Sequence, residues 1–177
     1  PILIDTFEIK ENRIKSVSAS SMENLVNMTT LSLDENMIEI IDTNLLAKLK
    51  ELICLTLNKN KLLGKHFKAN GIVRYGMDKD FCIKLKILEL SDIGLDHFDE
   101  TLFYHLNHLE SLTLSSNRIK KLDDNCFIKL TKLENLNLSD NDLDSLKPSF
   151  FDKMLSLKNL DLSKNKLKTI HASIIFK

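Results

Sequence analysis

Few residues in this 177-residue chain have types and spacings suited to covalent or metal chemistry. His105 and His108 stand three apart, downstream of Asp96 and His97, so one helical turn could aim two imidazoles at a metal ion. Nothing supplies the further Cys or His pair of a zinc site, and surface histidines explain the pattern better. The sequence has no glycine-rich phosphate loop, nucleophile elbow or Cys/His catalytic spacing. No enzymatic activity, cofactor or metal is therefore expected. Two Asn-X-Ser/Thr triplets, Asn27-Met28-Thr29 and Asn137-Leu138-Ser139, are formal glycan acceptors. Asn27 falls on an expected exposed loop and is the candidate. A glycan on Asn137 would block the surface it points from.

What remains is recognition by contact. Lys and Arg number 25 and so do Asp and Glu, giving a formal net charge of zero, which argues against a nucleic-acid coat protein. No apolar run approaches the roughly 20 residues of a membrane span, so no direct membrane insertion is expected. Leucine occurs 33 times against four glycines and two prolines, too few turn formers for a sandwich of tight hairpins.

The leucines obey a repeat. The template L-x-x-L-x-L-x-x-N-x-L fits seven times, most clearly at Leu109, Leu112, Leu114, Asn117 and Ile119 and at the copies carrying Asn141 and Asn165. Asn12, Asn36 and Asn60 mark three upstream copies; the fourth carries Ile93 instead. The markers are 24 residues apart except between Asn60 and Ile93, where the interval is 33. Period-two alternation in Leu112-Thr113-Leu114 puts leucines on one side and Thr113 on the other. Stacked copies then make a parallel sheet of very short strands, and each turn completes its neighbour's core. A side-chain amide offers two donors and an acceptor, so Asn12, Asn36, Asn60, Asn117, Asn141 and Asn165 are expected to form a structural ladder satisfying the inward-turning backbone. Ile93 breaks that ladder, and the stack is expected to bend or loosen there.

This pattern resembles the leucine-rich repeat family over essentially the whole chain. Ten residues past the marker come Met22, Leu46, Phe103, Phe127, Phe151 and Ile175, followed three later by Leu25, Leu49, Leu106, Leu130 and Met154. The phenylalanines resemble the typical 24-residue class of animal extracellular proteins such as Toll-like receptors. The resemblance implies an α/β solenoid of about seven repeats: a curved parallel sheet on the concave face, loops and short 3₁₀ turns on the convex face. It also implies an extracellular or cell-surface protein-recognition module, in innate recognition or adhesion. The alternative is a cytoplasmic scaffold subunit of a larger assembly.

Residues 1–177 read as a single repeat domain without the cysteine-rich caps usual in extracellular members, expected to be a fragment of a longer solenoid. Exposed apolar ends make end-to-end self-association an expectation. Cys54, Cys82 and Cys126 fall on different turns or opposite faces, beyond the roughly 7 Å between Cα atoms that a disulfide spans, so they are expected to be reduced thiols. Two surfaces are candidates for a protein partner, with or without attached glycans. The concave face presents Glu8, Asp34, Thr56, Asn58, Glu89, Thr113, Asn137 and Asp161, polar and faintly acidic, unsuited to phosphate backbones. The enlarged third return segment, 61–84, offers a basic loop with Lys65, His66, Arg74 and Tyr75.

Overall fold

The computed structural model describes residues 3–22, 24–62, 84–98, 102–147 and 149–170. Lys65, His66, Arg74 and Tyr75 of the insertion, together with Cys82 and Ile175, lie outside the described residues. Each copy of the template forms one three-residue strand: β1 Thr6–Glu8, β3 Thr30–Ser32, β5 Cys54–Thr56, β6 Ile87–Glu89, β7 Ser111–Thr113, β8 Asn135–Asn137 and β9 Asn159–Asp161. They form a seven-stranded parallel sheet in chain order, apart from two intervening strands that pair with each other elsewhere. The register runs Phe7, Leu31, Leu55, Leu88, Leu112, Leu136, Leu160 down the inward column. Middle repeats bury these leucines almost completely, with Leu31, Leu55 and Leu112 at 0 % exposure.

The convex half packs as the second apolar set requires. Met22, Leu46, Phe103, Phe127 and Phe151 are buried, and so are Leu49, Leu106, Leu130 and Met154. Phe98, Phe103, Phe127, Phe150 and Phe151 form a continuous aromatic spine with centroid spacings of 5.0–5.8 Å, several of them edge-on. The expected run of 3₁₀ turns is only partly formed. One 3₁₀ helix covers Ala19–Met22, its first N–H capped by Asp42 of the next repeat at 2.9 Å. Repeat two instead forms a short α-helix, α1 (Thr43–Lys48). The later described segments are turns. A small second parallel sheet joins β2 (Ser16–Val17) to β4 (Ile40–Ile41); the template, which ends at the residues before these, gave no sign of it.

The asparagines stitch adjacent turns together. Asn117 Nδ2 donates to the Leu90 carbonyl of the previous repeat at 2.8 Å and to its own Leu114 carbonyl at 3.0 Å. Its Oδ1 accepts from the Leu95 N–H at 3.1 Å. Asn36, Asn60, Asn141 and Asn165 repeat this geometry, each accepting from an N–H 22 residues upstream. Asn12, in the first repeat, is exposed; its Nδ2 donates to its own Lys10 carbonyl at 2.7 Å and its backbone N–H to the Glu35 carbonyl at 3.2 Å. At the expected weak point the strands stay in register, Cys54 through Thr56 pairing with Ile87 through Glu89. Ile93 is buried at 1 % exposure, and its N–H is taken up by Asn117 Oδ1 at 3.2 Å. The amide rung between the third and fourth turns is missing, and apolar packing with backbone bonds, Leu57 N–H to the Glu89 carbonyl at 3.0 Å and Lys59 N–H to the Ser91 carbonyl at 2.8 Å, joins the turns there instead.

Each turn also depends on one backbone reversal. The residue before every marker has a left-handed backbone: Glu11, Glu35, Lys59, Asp92, Ser116, Asp140 and Lys164, with φ between 52° and 56°. None is glycine, so each carries a steric cost of about 1–2 kcal/mol relative to a right-handed conformation. Periodicity of apolar residues gives no signal for this.

Two substitutions test these supports by urea midpoint. Asn117→Ala should cost about 2–4 kcal/mol, since several buried groups lose partners at about 1–3 kcal/mol each, whereas Asn12→Ala should cost under about 0.5 kcal/mol as an ordinary surface change. Asp92→Gly should be neutral or stabilising, and Asp92→Val should lose more than about 1 kcal/mol, because a β-branched side chain tolerates positive φ worst.

Candidate functional site

Strand pleating alone places the concave residues. Glu8, Ser32, Thr56, Glu89, Thr113, Asn137 and Asp161 stack in one column through the registers of the sheet, with Lys10, Asp34, Asn58, Ser91, Ser115, Ser139 and Ser163 in line beyond it. The structure thus brings all eight concave candidates onto one surface.

Their availability differs along that surface. In the second and third repeats the polar groups are committed to one another. Asp34 accepts from the Thr56 hydroxyl at 2.8 Å, the Ser32 hydroxyl at 3.1 Å and the Asn58 N–H at 2.7 Å. Ser32 and Thr56 are buried, with hydroxyls 2.6 Å apart. Asn58 passes the network on, its Nδ2 donating to Glu89 at 2.7 Å and its Oδ1 accepting from the Ser91 N–H at 2.8 Å. This is a fixed acidic floor, and Asp34 works chiefly as an inter-repeat clamp.

The last three strands are more open. Ser111, Thr113, Asn135, Asn137, Lys158, Asn159 and Asp161 line a hollow of about 390 Å³. Asn135 and Asn159 join at 2.7 Å, while Asn137 Oδ1 is held by the Ser139 N–H and hydroxyl at 2.9 and 2.7 Å. The Ser163 N–H, 2.9 Å from Asp161, holds that carboxyl below the usual carboxylate range, so the exposed end of the column stays anionic as pH falls. Sequence reading missed Lys158. It lies one residue before its strand, a position that the alternation template treats as linker.

One flank carries a second pattern that the sequence reading did not isolate. Each turn leaves its strand through the residue before the marker and the residues one and three beyond it. In the second repeat these include Glu35 and Glu39, in the third Lys59 and Lys61, in the fourth Asp92 and Asp96, in the fifth Arg118 and Lys120 with Lys121 adjacent. The sixth supplies Asp140, Asp142 and Asp144, and the seventh Lys164, Lys166 and Lys168. Backbone bonds such as Asp92 N–H to the Ser115 carbonyl (3.1 Å) and Asp142 N–H to the Ile119 carbonyl (3.0 Å) stack these positions in columns. The first repeat is mixed, with Glu11, Arg13 and Lys15, but from the second repeat to the seventh the sign reverses at every rung. Lys59 bonds Glu35 at 2.8 Å, and Lys166 bonds Asp142 at 2.5 Å. The hydrogen bond to Glu35, reinforced by its charge and by Asp92 and Glu11, raises the Lys59 pKa; the bond from Lys166 lowers that of Asp142.

The remaining candidates are dispersed. His97 pairs with Asp96 at 2.6 Å, His108 meets Asn107 at 2.9 Å, and His105 lies edge-on to Tyr104. Among the described residues, no three His, Cys, Asp or Glu side chains gather as a metal site. Asn27 is exposed on its turn. Cys54 and Cys126 are free thiols, half-buried and buried respectively.

Stacked turns, an amide ladder and a polar concave sheet define a repeat-built solenoid. The chain belongs to the leucine rich repeat family, whose model matches residues 4–62, 83–143 and 131–175. Proteins of this family generally serve as interaction modules. A comparison with curated proteins gives no match. Solved structures similar to the chain include a leucine-rich-repeat protein of Leptospira interrogans, 27% identical with a TM-score of 0.76, over 97% of this chain and 40% of that one. TLR13 in its complex with ssRNA13 is likewise 27% identical with a TM-score of 0.76, over 92% of this chain and 22% of its own. The Toll–Spatzle complex, described as a hub in Drosophila development and innate immunity, gives 25% identity and a TM-score of 0.66, over 89% and 23%. The chain thus spans well under half the length of each of these proteins. No helix among the described residues is long and apolar enough to cross a membrane.

The thiols supply a direct check on the burial just described. Burial pushes the Cys126 thiol up strongly, and burial with the charges of Glu89 and Asp34 raises that of Cys54. In the native protein Cys126 should resist iodoacetamide. Cys54 should react more slowly than free cysteine, its rate still climbing above the ordinary thiol pKa of about 8.5 because only the thiolate reacts. Peptide mapping after timed labelling reads both.

Proposed function

We infer that this chain is a non-catalytic protein-recognition module that binds a partner across its concave face. The observation carrying the reading is the alignment of Glu8, Asp34, Glu89 and Asp161 with Thr56, Asn58, Thr113 and Asn137 on one continuous sheet surface. Such a surface is faintly acidic and favours a partner with complementary basic character. TLR13 is recorded in complex with RNA and Toll with Spatzle. For this chain the carboxylates along the concave columns would repel phosphate, which favours the protein partner. The anchoring part of the face is the hollow over the last three strands, because its groups are less fully committed than those around Asp34. The segment 61–84 is the second candidate contact. Residues 1–177 act as one repeat domain in this reading.

The neighbours in Toll-type receptors support an extracellular or cell-surface setting, in innate recognition or adhesion, with Asn27 as the glycan acceptor. A cytoplasmic scaffold is the second reading, favoured by the free thiols of Cys54 and Cys126.

Mass spectrometry of the natural protein separates the settings: a glycan on Asn27 places it in the secretory pathway, whereas unmodified asparagines with free thiols favour the scaffold. For the face, wild type and the Glu89→Arg, Thr113→Arg and Asn137→Arg variants would be screened against a panel of secreted and cell-surface ectodomains. Each variant should keep its circular dichroism spectrum and weaken any wild-type interaction at least tenfold, about 1.4 kcal/mol. Undiminished binding by all three would move the site off the concave face, with 61–84 next to be tested.

A further inference from the structure

We propose that the charge-striped flank is a self-association surface whose partner is a second copy of this chain, packed antiparallel and offset so that its fifth rung faces the first copy's fourth. A flank that reverses sign at each rung is complementary to itself under a two-fold rotation. If the axis passes between the fourth and fifth rungs, rung four meets rung five, three meets six, and two meets seven; every meeting joins opposite charges. Moving the axis onto a rung would set like against like throughout, and among the axes that lie between rungs this one pairs all six rungs from the second to the seventh.

Existing ion pairs leave part of the flank's charge uncompensated within the chain. The outer rungs are partly neutralised within the chain, Lys59 by Glu35 and Lys166 by Asp142. At the centre, Asp96 is held by His97, while Asp92 on the fourth rung and Arg118, Lys120 and Lys121 on the fifth are exposed and, among the described residues, close no ion pair. Exposed charges are thus available to a partner on both sides of the proposed axis, as they are at Lys61, Lys164 and Lys168 further out. With rungs about 4.8 Å apart, the six paired rungs extend along about 24 Å of the flank. A uniformly charged partner would meet as many repulsive rungs as attractive ones, which favours a copy of the chain itself. The association should be salt-sensitive, because the pairs stay near solvent.

Sedimentation equilibrium of the whole chain tests this. At about 0.1 M salt and rising concentration, the mass should climb from 20.3 kDa toward twice that value. It should return to the single-chain value at about 1 M salt, where the Debye length is near 3 Å. Arg118→Glu/Lys120→Glu/Lys121→Glu makes rungs four and five both acidic, and Asp92→Lys/Asp96→Lys makes both basic. Each variant alone should associate at least tenfold more weakly. Mixed, they should recover the heavier species, since acidic rungs of one then face basic rungs of the other. A wild-type chain that stays monomeric at low salt overturns the proposal, and so does a mixture that fails to recover association. Self-association untouched by either variant overturns it too and moves the contact off this flank. Should a variant not fold, amide exchange of the wild type decides: residues 116–121 must gain protection with concentration, and unchanged exchange there overturns the proposal.

Discussion

A single turn of this chain cannot satisfy its own backbone, and that constraint governs the molecule. Where the chain swings inward after each strand, buried carbonyls and N–H groups face a region with no water. The asparagine amide reaches back to the previous turn and closes both deficits, as when Asn60 donates to the Leu33 carbonyl at 2.9 Å and accepts from the Ile38 N–H at 2.9 Å. Because the partner groups belong to the preceding turn, no repeat is complete alone, and stability accumulates pairwise along the stack. The leucine columns and the phenylalanine spine add apolar burial to the same neighbour contacts.

That dependence explains why so much of the architecture was legible in the residues. Leucine spacing sets the strands to within a residue, since a one-residue slip would turn Leu112 out of the core and Thr113 into it. The asparagine marker locates the inward swing. Other features were illegible for physical reasons. The left-handed residue before each marker varies from Glu to Lys to Ser, because its side chain is in solvent and only its backbone is specified. The helix α1 and the small β2–β4 sheet sit where sequence is irregular and neighbouring turns decide the local geometry. Ile93 is a lost amide rung, yet the strands on either side keep their register, because its side chain is buried at 1 % exposure and backbone bonds such as Lys59 N–H to the Ser91 carbonyl still join the turns.

The concave surface was only half readable. Alternation identifies which side chains point there, and it did so for every strand. It says nothing about which are already engaged with one another. Asp34 reads as an exposed acid in the sequence and turns out to accept three hydrogen bonds from its own and the next repeat. Lys158 reads as linker and lines the hollow. Recognition capacity thus shifts toward the later strands, while the earlier acids contribute rigidity and a background field.

The striped flank also determines how far this rod can be sensed. Fields from alternating rows cancel rapidly with height, over a fraction of the row spacing, well inside the roughly 8 Å set by physiological ions. Approaching molecules therefore experience no long-range guidance from that side and drift past as if it were neutral. Only a surface already touching it can feel the stripes, so the flank works like a vernier scale: blind at a distance and sensitive to a displacement of one rung on contact.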